Sequence, residues 1–168
     1  MKNRATALLA TFVFFWIAPA TVGGWVPWYI MRWQMRPPLF DGNATRWLGV
    51  AIVATGLAIV VECFARFAIK GIGTPAPVAP TKHLVVSGLY RHVRNPMYVG
   101  VVASIFGQAL YFGSVALLQY CAALWAGFFA FVLLYEEPAL TRQFGAEYDA
   151  YRAHVPRWLP RLSPWKGK

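Results

Sequence analysis

Charge is what this chain has least of. Only 13% of its 168 residues are charged, and only 6 of those are acidic. An average soluble domain carries about twice that charged fraction. With 58% hydrophobic residues, the chain reads as an integral membrane protein. Cysteine is almost as scarce. Cys63 and Cys121 both lie inside apolar runs, which excludes a disulfide framework and any cysteine-based metal spacing, and both read as small hydrophobes. The three histidines, His83, His92 and His154, are scattered, so no metal site is expected. The 16 basic residues flank apolar runs and form no continuous stripe. That pattern points to membrane topology and argues against nucleic acid as a partner.

Four stretches are long and apolar enough to be membrane helices. The first covers 6–30, with a kink or interruption expected near Pro19 and Gly23-Gly24. Lys2, Arg4 and the run ending Ala18-Pro19-Ala20 resemble a signal peptide. The apolar character continues to Ile30, however, so an uncleaved first helix is expected. The second stretch covers 46–69, the third runs from Pro96 to Phe112, and the fourth from Val115 to Tyr135. Gly113-Ser114 alone separates the last two, which predicts a tight antiparallel hairpin. Arg32, Arg36 and Arg46 are the only basic residues on one side of this arrangement. The positive-inside rule therefore puts both termini and the 70–95 loop in the cytoplasm, at the cell membrane. After Glu136, Leu140, Phe144, Tyr148 and Tyr151 recur at helical spacing. They predict one amphipathic helix begun by Pro138, either a lid or an interfacial helix on anionic lipid. Pro156, Trp158, Leu159 and Pro160 end it and are expected to fold back as an anchor.

The polar clusters stand out against this apolar background. Asn95-Pro96 is a helix start, Asn capping and Pro in the first turn, but Tyr90, Arg91, Arg94 and Tyr98 crowd the same bend. Arginines at a helix start oppose its dipole unless they have another task; snorkelling to lipid phosphate is one. Glu136-Glu137 close the fourth helix, where negative charge is also unfavourable. Their positive partner is either Arg91 or Arg94 across the hairpin, or a ligand cation. Glu62 is an intramembrane acid and thus a functional candidate, with an i,i+4 ion pair to Arg66 as the plainer reading.

At these residues the chain resembles the isoprenylcysteine carboxyl methyltransferase and phospholipid methyltransferase superfamily. The matching pieces are Leu84-Val85, Ser87-Gly88-Leu89-Tyr90, Arg94-Asn95-Pro96-Met97-Tyr98-Val99-Gly100 and Glu136-Glu137. They continue through Leu140, Phe144-Gly145, Glu147-Tyr148, Tyr151, Val155-Pro156 and Leu159-Pro160. The resemblance covers about 71–162, the core of a single membrane domain 1–168 whose first two helices (6–70) add nothing to it. It implies an all-α integral membrane enzyme of about four helices, with the cytoplasmic loop and C-terminal helix forming a pocket for S-adenosylmethionine. Lys82, His83, Leu84, Val85 and Tyr90 would line the cofactor, Asn95-Pro96-Met97-Tyr98 would wrap it, and Glu136 would meet its amino-acid end. The cofactor's sulfonium and ammonium want carboxylates and its adenine wants aromatic walls. The methyl group would pass to a lipophilic acceptor reached from membrane lipid.

Two departures from the family pattern bear on the chemistry. Asn95 stands where the family commonly has His. Val132 stands where the prenylcysteine enzymes carry an arginine for the substrate carboxylate. A valine cannot pair with a carboxylate, so a lipid headgroup, an isoprenoid or a small thiol stands beside prenylcysteine as acceptor. Where deprotonation is needed, Glu137, His154 and Tyr148 are the candidate bases. The reading of another class is a non-catalytic membrane protein that binds lipid or a partner through its basic loop.

Overall fold

The computed structural model describes residues 19–40, 42–66 and 84–167. Lys82, His83, the Gly-Pro-rich start of the long loop and the first part of the first apolar stretch lie outside the described residues. What is described is all-α: α1 (Val26–Met31), α2 (Ala44–Arg66), α3 (Pro96–Phe112), α4 (Val115–Phe131), α5 (Glu137–Phe144) and α6 (Ala146–His154). By length and composition, Ala44–Arg66 and Val115–Phe144 can each cross a membrane, and the apolar Pro96–Phe112 is shorter.

Glycine sets the pairing of α2 with α3. A Cβ built on Gly49 would lie 2.6 Å from the carbonyl oxygen of Gly107, and one on Gly56 the same 2.6 Å from that of Gly100. The glycines are seven residues apart on both helices and meet in opposite order, so the helices run antiparallel with backbones in contact. Small residues allow this approach, which matters in a bilayer because lipid tails are as apolar as leucine and burial drives nothing. Val60, Phe64, Val101, Ile105 and Cys121 fill the space beside the seam.

The α3–α4 hairpin forms as the sequence predicts. Gly113 adopts a left-handed φ of 68°, and Ser114 caps α4 by accepting from Leu117 N at 3.3 Å. Ahead of α1 the chain is not broken at Gly23-Gly24. It forms a π turn, Thr21–Trp25, and side chains of the hairpin take the carbonyls there. Gln108 Nε2 donates to Gly23 O at 2.8 Å and Tyr120 OH to Val22 O at 3.0 Å.

Two expectations need correction. The fourth apolar stretch does not end at Glu136-Glu137. It passes through a second π turn, Val132–Glu136, and continues as helix to Phe144. Pro138 has no N–H to offer Leu134, and the wider turn absorbs the defect by letting Glu137 N–H reach Val132 O. Nor is the amphipathic tail one helix. Gly145, at φ 51° and ψ −126°, separates α5 from α6. Tyr148, Tyr151 and Val155 nonetheless pack with Leu140 and Phe144 in a single cluster, which also takes in Leu84, Val86 and Trp165.

Candidate functional site

The polar layer is built around the turn that leads into α3. Gly88 opens it with a left-handed φ of 57°, and a 3₁₀ turn, Gly88–Arg91, follows. Asn95 occupies the cap position of α3 but does not cap. Its Nδ2 donates to Arg157 O at 3.2 Å, a carbonyl brought from 62 residues away. The C-terminal segment 156–165 lies antiparallel along this turn as a strap. Arg94 N donates to Pro156 O, Arg161 N to His92 O and Trp165 N to Arg91 O, each at 2.9 Å. His92 Nδ1 sits 2.8 Å from Arg161 O, and Arg91 Nε donates to Trp165 O. Trp158 packs on Trp125 and Phe129 of α4, with ring centroids 4.6 and 5.9 Å away. The fold-back expected of this tail is therefore real, and its polar side braces the turn.

The twin acids have separate partners. Glu137 receives both prongs of Arg157, Nε to Oε1 at 2.7 Å and Nη2 to Oε2 at 2.8 Å, and Arg94 Nη1 lies 3.1 Å from Oε1. Arg94 was one of the two partners open in the sequence. Arg91 instead donates to the Trp165 carbonyl, and Arg157, which no sequence pattern singles out, supplies the second cation. The bidentate contact raises the Arg157 guanidinium above its ordinary value, keeping it charged. Glu136 accepts a hydrogen bond from Tyr98 OH at 2.9 Å and has no cationic partner among the described residues. Phe128 backs the Tyr98 ring at 4.6 Å.

Of the other residues named from the sequence, Tyr90 is buried, its carbonyl accepts from Tyr151 OH at 2.7 Å, and its ring lies near enough to feel the charge of Glu136. Burial holds its phenol well above the ordinary tyrosine range. Pro96 is fully buried, and Met97 packs against the Val60–Ile105 core. Val85 is half-buried. Leu84 lines a cavity of about 1140 Å³ bounded by α2, the turn and the C-terminal segment. The three candidate bases are all occupied. Glu137 is held by two arginines. Tyr148 is buried, and its phenol is raised by burial and by Glu137, so it stays protonated at neutral pH. His154 is exposed, 2.8 Å from Ala150 O and stacked on Trp165.

A family model described as phospholipid methyltransferase matches residues 44–147. Protein-S-isoprenylcysteine O-methyltransferase of Schizosaccharomyces pombe is 37% identical over 80 residues, 47% of this chain and 34% of that protein. The Homo sapiens protein of the same name is 34% identical over 123 residues, 68% of this chain and 42% of its own length. The nickel-cobalt-cadmium resistance protein NccN of Alcaligenes xylosoxydans xylosoxydans is 27% identical over 127 residues, covering 73% of this chain and 56% of that protein. The chain thus spans well under two thirds of each. No solved structure matches it.

Proposed function

The chain belongs to the phospholipid methyltransferase family, and from that premise we propose that it methylates a lipophilic acceptor with S-adenosylmethionine at the cytoplasmic face of a membrane. Family members are S-adenosylmethionine-dependent enzymes acting on lipophilic substrates. In this reading four apolar segments cross the bilayer, and the polar layer of turn, strap, α5 and α6 lies in the cytoplasm. The excess of basic residues on that side supports the orientation.

The observation that carries the proposal is the division of labour between the acids. Glu137 is neutralised by Arg94 and Arg157, while Glu136 next to it holds only a phenol among the described residues. A partly buried carboxylate without a cation suits a ligand that brings positive charge of its own, and S-adenosylmethionine brings a sulfonium and an ammonium. When bound, the cofactor supplies a methyl group already activated on sulfur. Glu136 would hold the positive end and Tyr98 would fix the carboxylate's orientation. Val85 and Tyr90 would give apolar and aromatic walls, Leu84 would separate them from the neighbouring cavity that it lines, and Lys82 and His83 precede them in the chain. Asn95, Pro96 and Met97 would shape the turn from behind. With the donor pre-activated, alignment and exclusion of water supply most of the rate.

Val132 is fully buried at the start of the π turn. An acceptor carboxylate would find neither an arginine nor access there, which supports an acceptor without that group.

Calorimetric titration tests the proposal. Glu136→Gln should weaken cofactor binding at least tenfold, about 1.4 kcal/mol, and unchanged affinity would remove Glu136 from the site. Tyr98→Phe frees one carboxylate oxygen without removing charge and should cost less, about 1 kcal/mol.

A further inference from the structure

Glu62 is an acid inside an apolar helix, and neither the ion network nor Glu136 accounts for it. Its Oε1 accepts from Arg66 Nε at 2.7 Å, the ion pair the spacing predicts. Its other oxygen, Oε2, is buried with no hydrogen-bond partner among the described residues, and so is Ser87 Oγ. Both residues line the 1140 Å³ cavity. A buried carboxylate oxygen left without a donor is costly, and one that opens on a cavity suits a ligand that brings a donor. Gly88 keeps the two residues close: a side chain there would collide with Glu62 Oε1 and the Arg66 guanidinium.

The cavity is elongated along α2. Its wall on that helix runs from Thr55 through Ala58 and Ile59 to Glu62 and Arg66. Those turns span about 16 Å, close to half of a hydrocarbon core of about 30 Å. Thr55 and Ala58 are exposed on the helix surface, so the inner end opens where lipid would be. The outer end is charged on both counts. A carboxylate head has no donor to give Glu62 Oε2, and a cationic head would meet Arg66, Arg91 and Lys166 around the cavity, with Glu147 the one further acid among the described lining residues. What remains is an uncharged head that can donate a hydrogen bond.

We propose that this groove binds a lipophilic molecule with a neutral hydroxyl or thiol head, the head donating to Glu62 Oε2 and the chain lying along Ala58 and Thr55. Its role as methyl acceptor rests on the methyltransferase reading; the binding site itself does not. Tyr90 is close enough to Cys63 on α2 and to Glu136 to feel both, which ties the helix that walls the groove to the carboxylate assigned to the cofactor.

The experiment is photolabelling of the full chain in lipid nanodiscs with a fatty alcohol and a fatty thiol carrying a diazirine in the chain, beside the matching carboxylic acid and amine. The alcohol or the thiol should label the 55–59 segment of α2 saturably, and the two charged analogues should not. Glu62→Leu should weaken saturable labelling roughly tenfold, as for a lost hydrogen bond to a charged acceptor. Arg66 is partly exposed and can turn to water in that variant. Glu62→Gln keeps an acceptor oxygen and should restore part of the binding. If Glu62→Leu fails to fold, Ala58→Phe fills the groove from its lipid side and should abolish the label. Equal labelling of Glu62→Leu and the unaltered chain, or of the charged analogues and the neutral ones, overturns the assignment. Calorimetry with S-adenosylmethionine on the same preparation separates the two readings. Cofactor binding without saturable labelling sinks the groove and spares methyl transfer; Glu62-dependent labelling without cofactor binding does the reverse.

Discussion

Between α2 and α3, contact is made by backbone on backbone, Gly49 against Gly107 and Gly56 against Gly100. In the polar layer, residues 91–95 meet 156–165 through hydrogen bonds, and two arginines close on one carboxylate. The first region gains from having no side chains. The second depends on side chains of particular length and shape. The difference follows from the surroundings. In lipid, dispersion at close approach is the attraction available to apolar helices, so even one added methyl group pushes the pair apart. Where water competes, a plain hydrogen bond nets little, and a forked guanidinium holding a partly buried carboxylate is the stronger tie.

Gly56→Val is the sharpest way to break this contrast. It sets a branched side chain against the Gly100 carbonyl and should cost about 3 kcal/mol, the upper end for overpacking, read as a shift in detergent-induced unfolding. A loss below half of that would mean the seam can open without penalty. Arg157→Ala should cost about 2 kcal/mol, as for a charged hydrogen-bonded partner removed from a mostly buried acid. Arg157→Lys should regain less than half, since a single ammonium cannot replace the fork; full recovery would show that charge alone matters there. Asp149→Ala deletes an ion pair to Arg152 in which both side chains are about half exposed. It should change stability by less than about 0.5 kcal/mol, and a larger loss would extend the ion network beyond Glu137.

The parts legible in the sequence are those governed by neighbours in the chain. Gly113-Ser114 makes its hairpin, Glu62 and Arg66 pair one turn apart, and Glu136 comes to lie beside Tyr98, joining the two polar clusters that stand out from the apolar background. What was not legible depends on distant residues. Asn95 has every local reason to cap α3, yet Arg157 O claims its amide. The tail pattern predicts one helix, and Gly145 breaks it while the tyrosines keep their shared cluster. The continuation past Glu136 turned on Pro138, which reads as a helix start until a π turn makes room for it. The glycines at 49, 56, 100 and 107 did carry a readable signal, a shared seven-residue spacing, but it acquires meaning only once the two helices are known to run antiparallel.

The strap has a consequence for how the protein is made. Asn95 leaves the ribosome 62 residues before Arg157, whose carbonyl it binds. At about 5–20 residues per second that interval lasts several seconds. Throughout it the bend entering α3 has its apolar helix to lean on and no brace above. Ribosome stalling within that window would leave a chain whose later helices are already inserting and whose bend is still free to move. Maturation of the polar layer would then trail membrane insertion, set by the pace of translation.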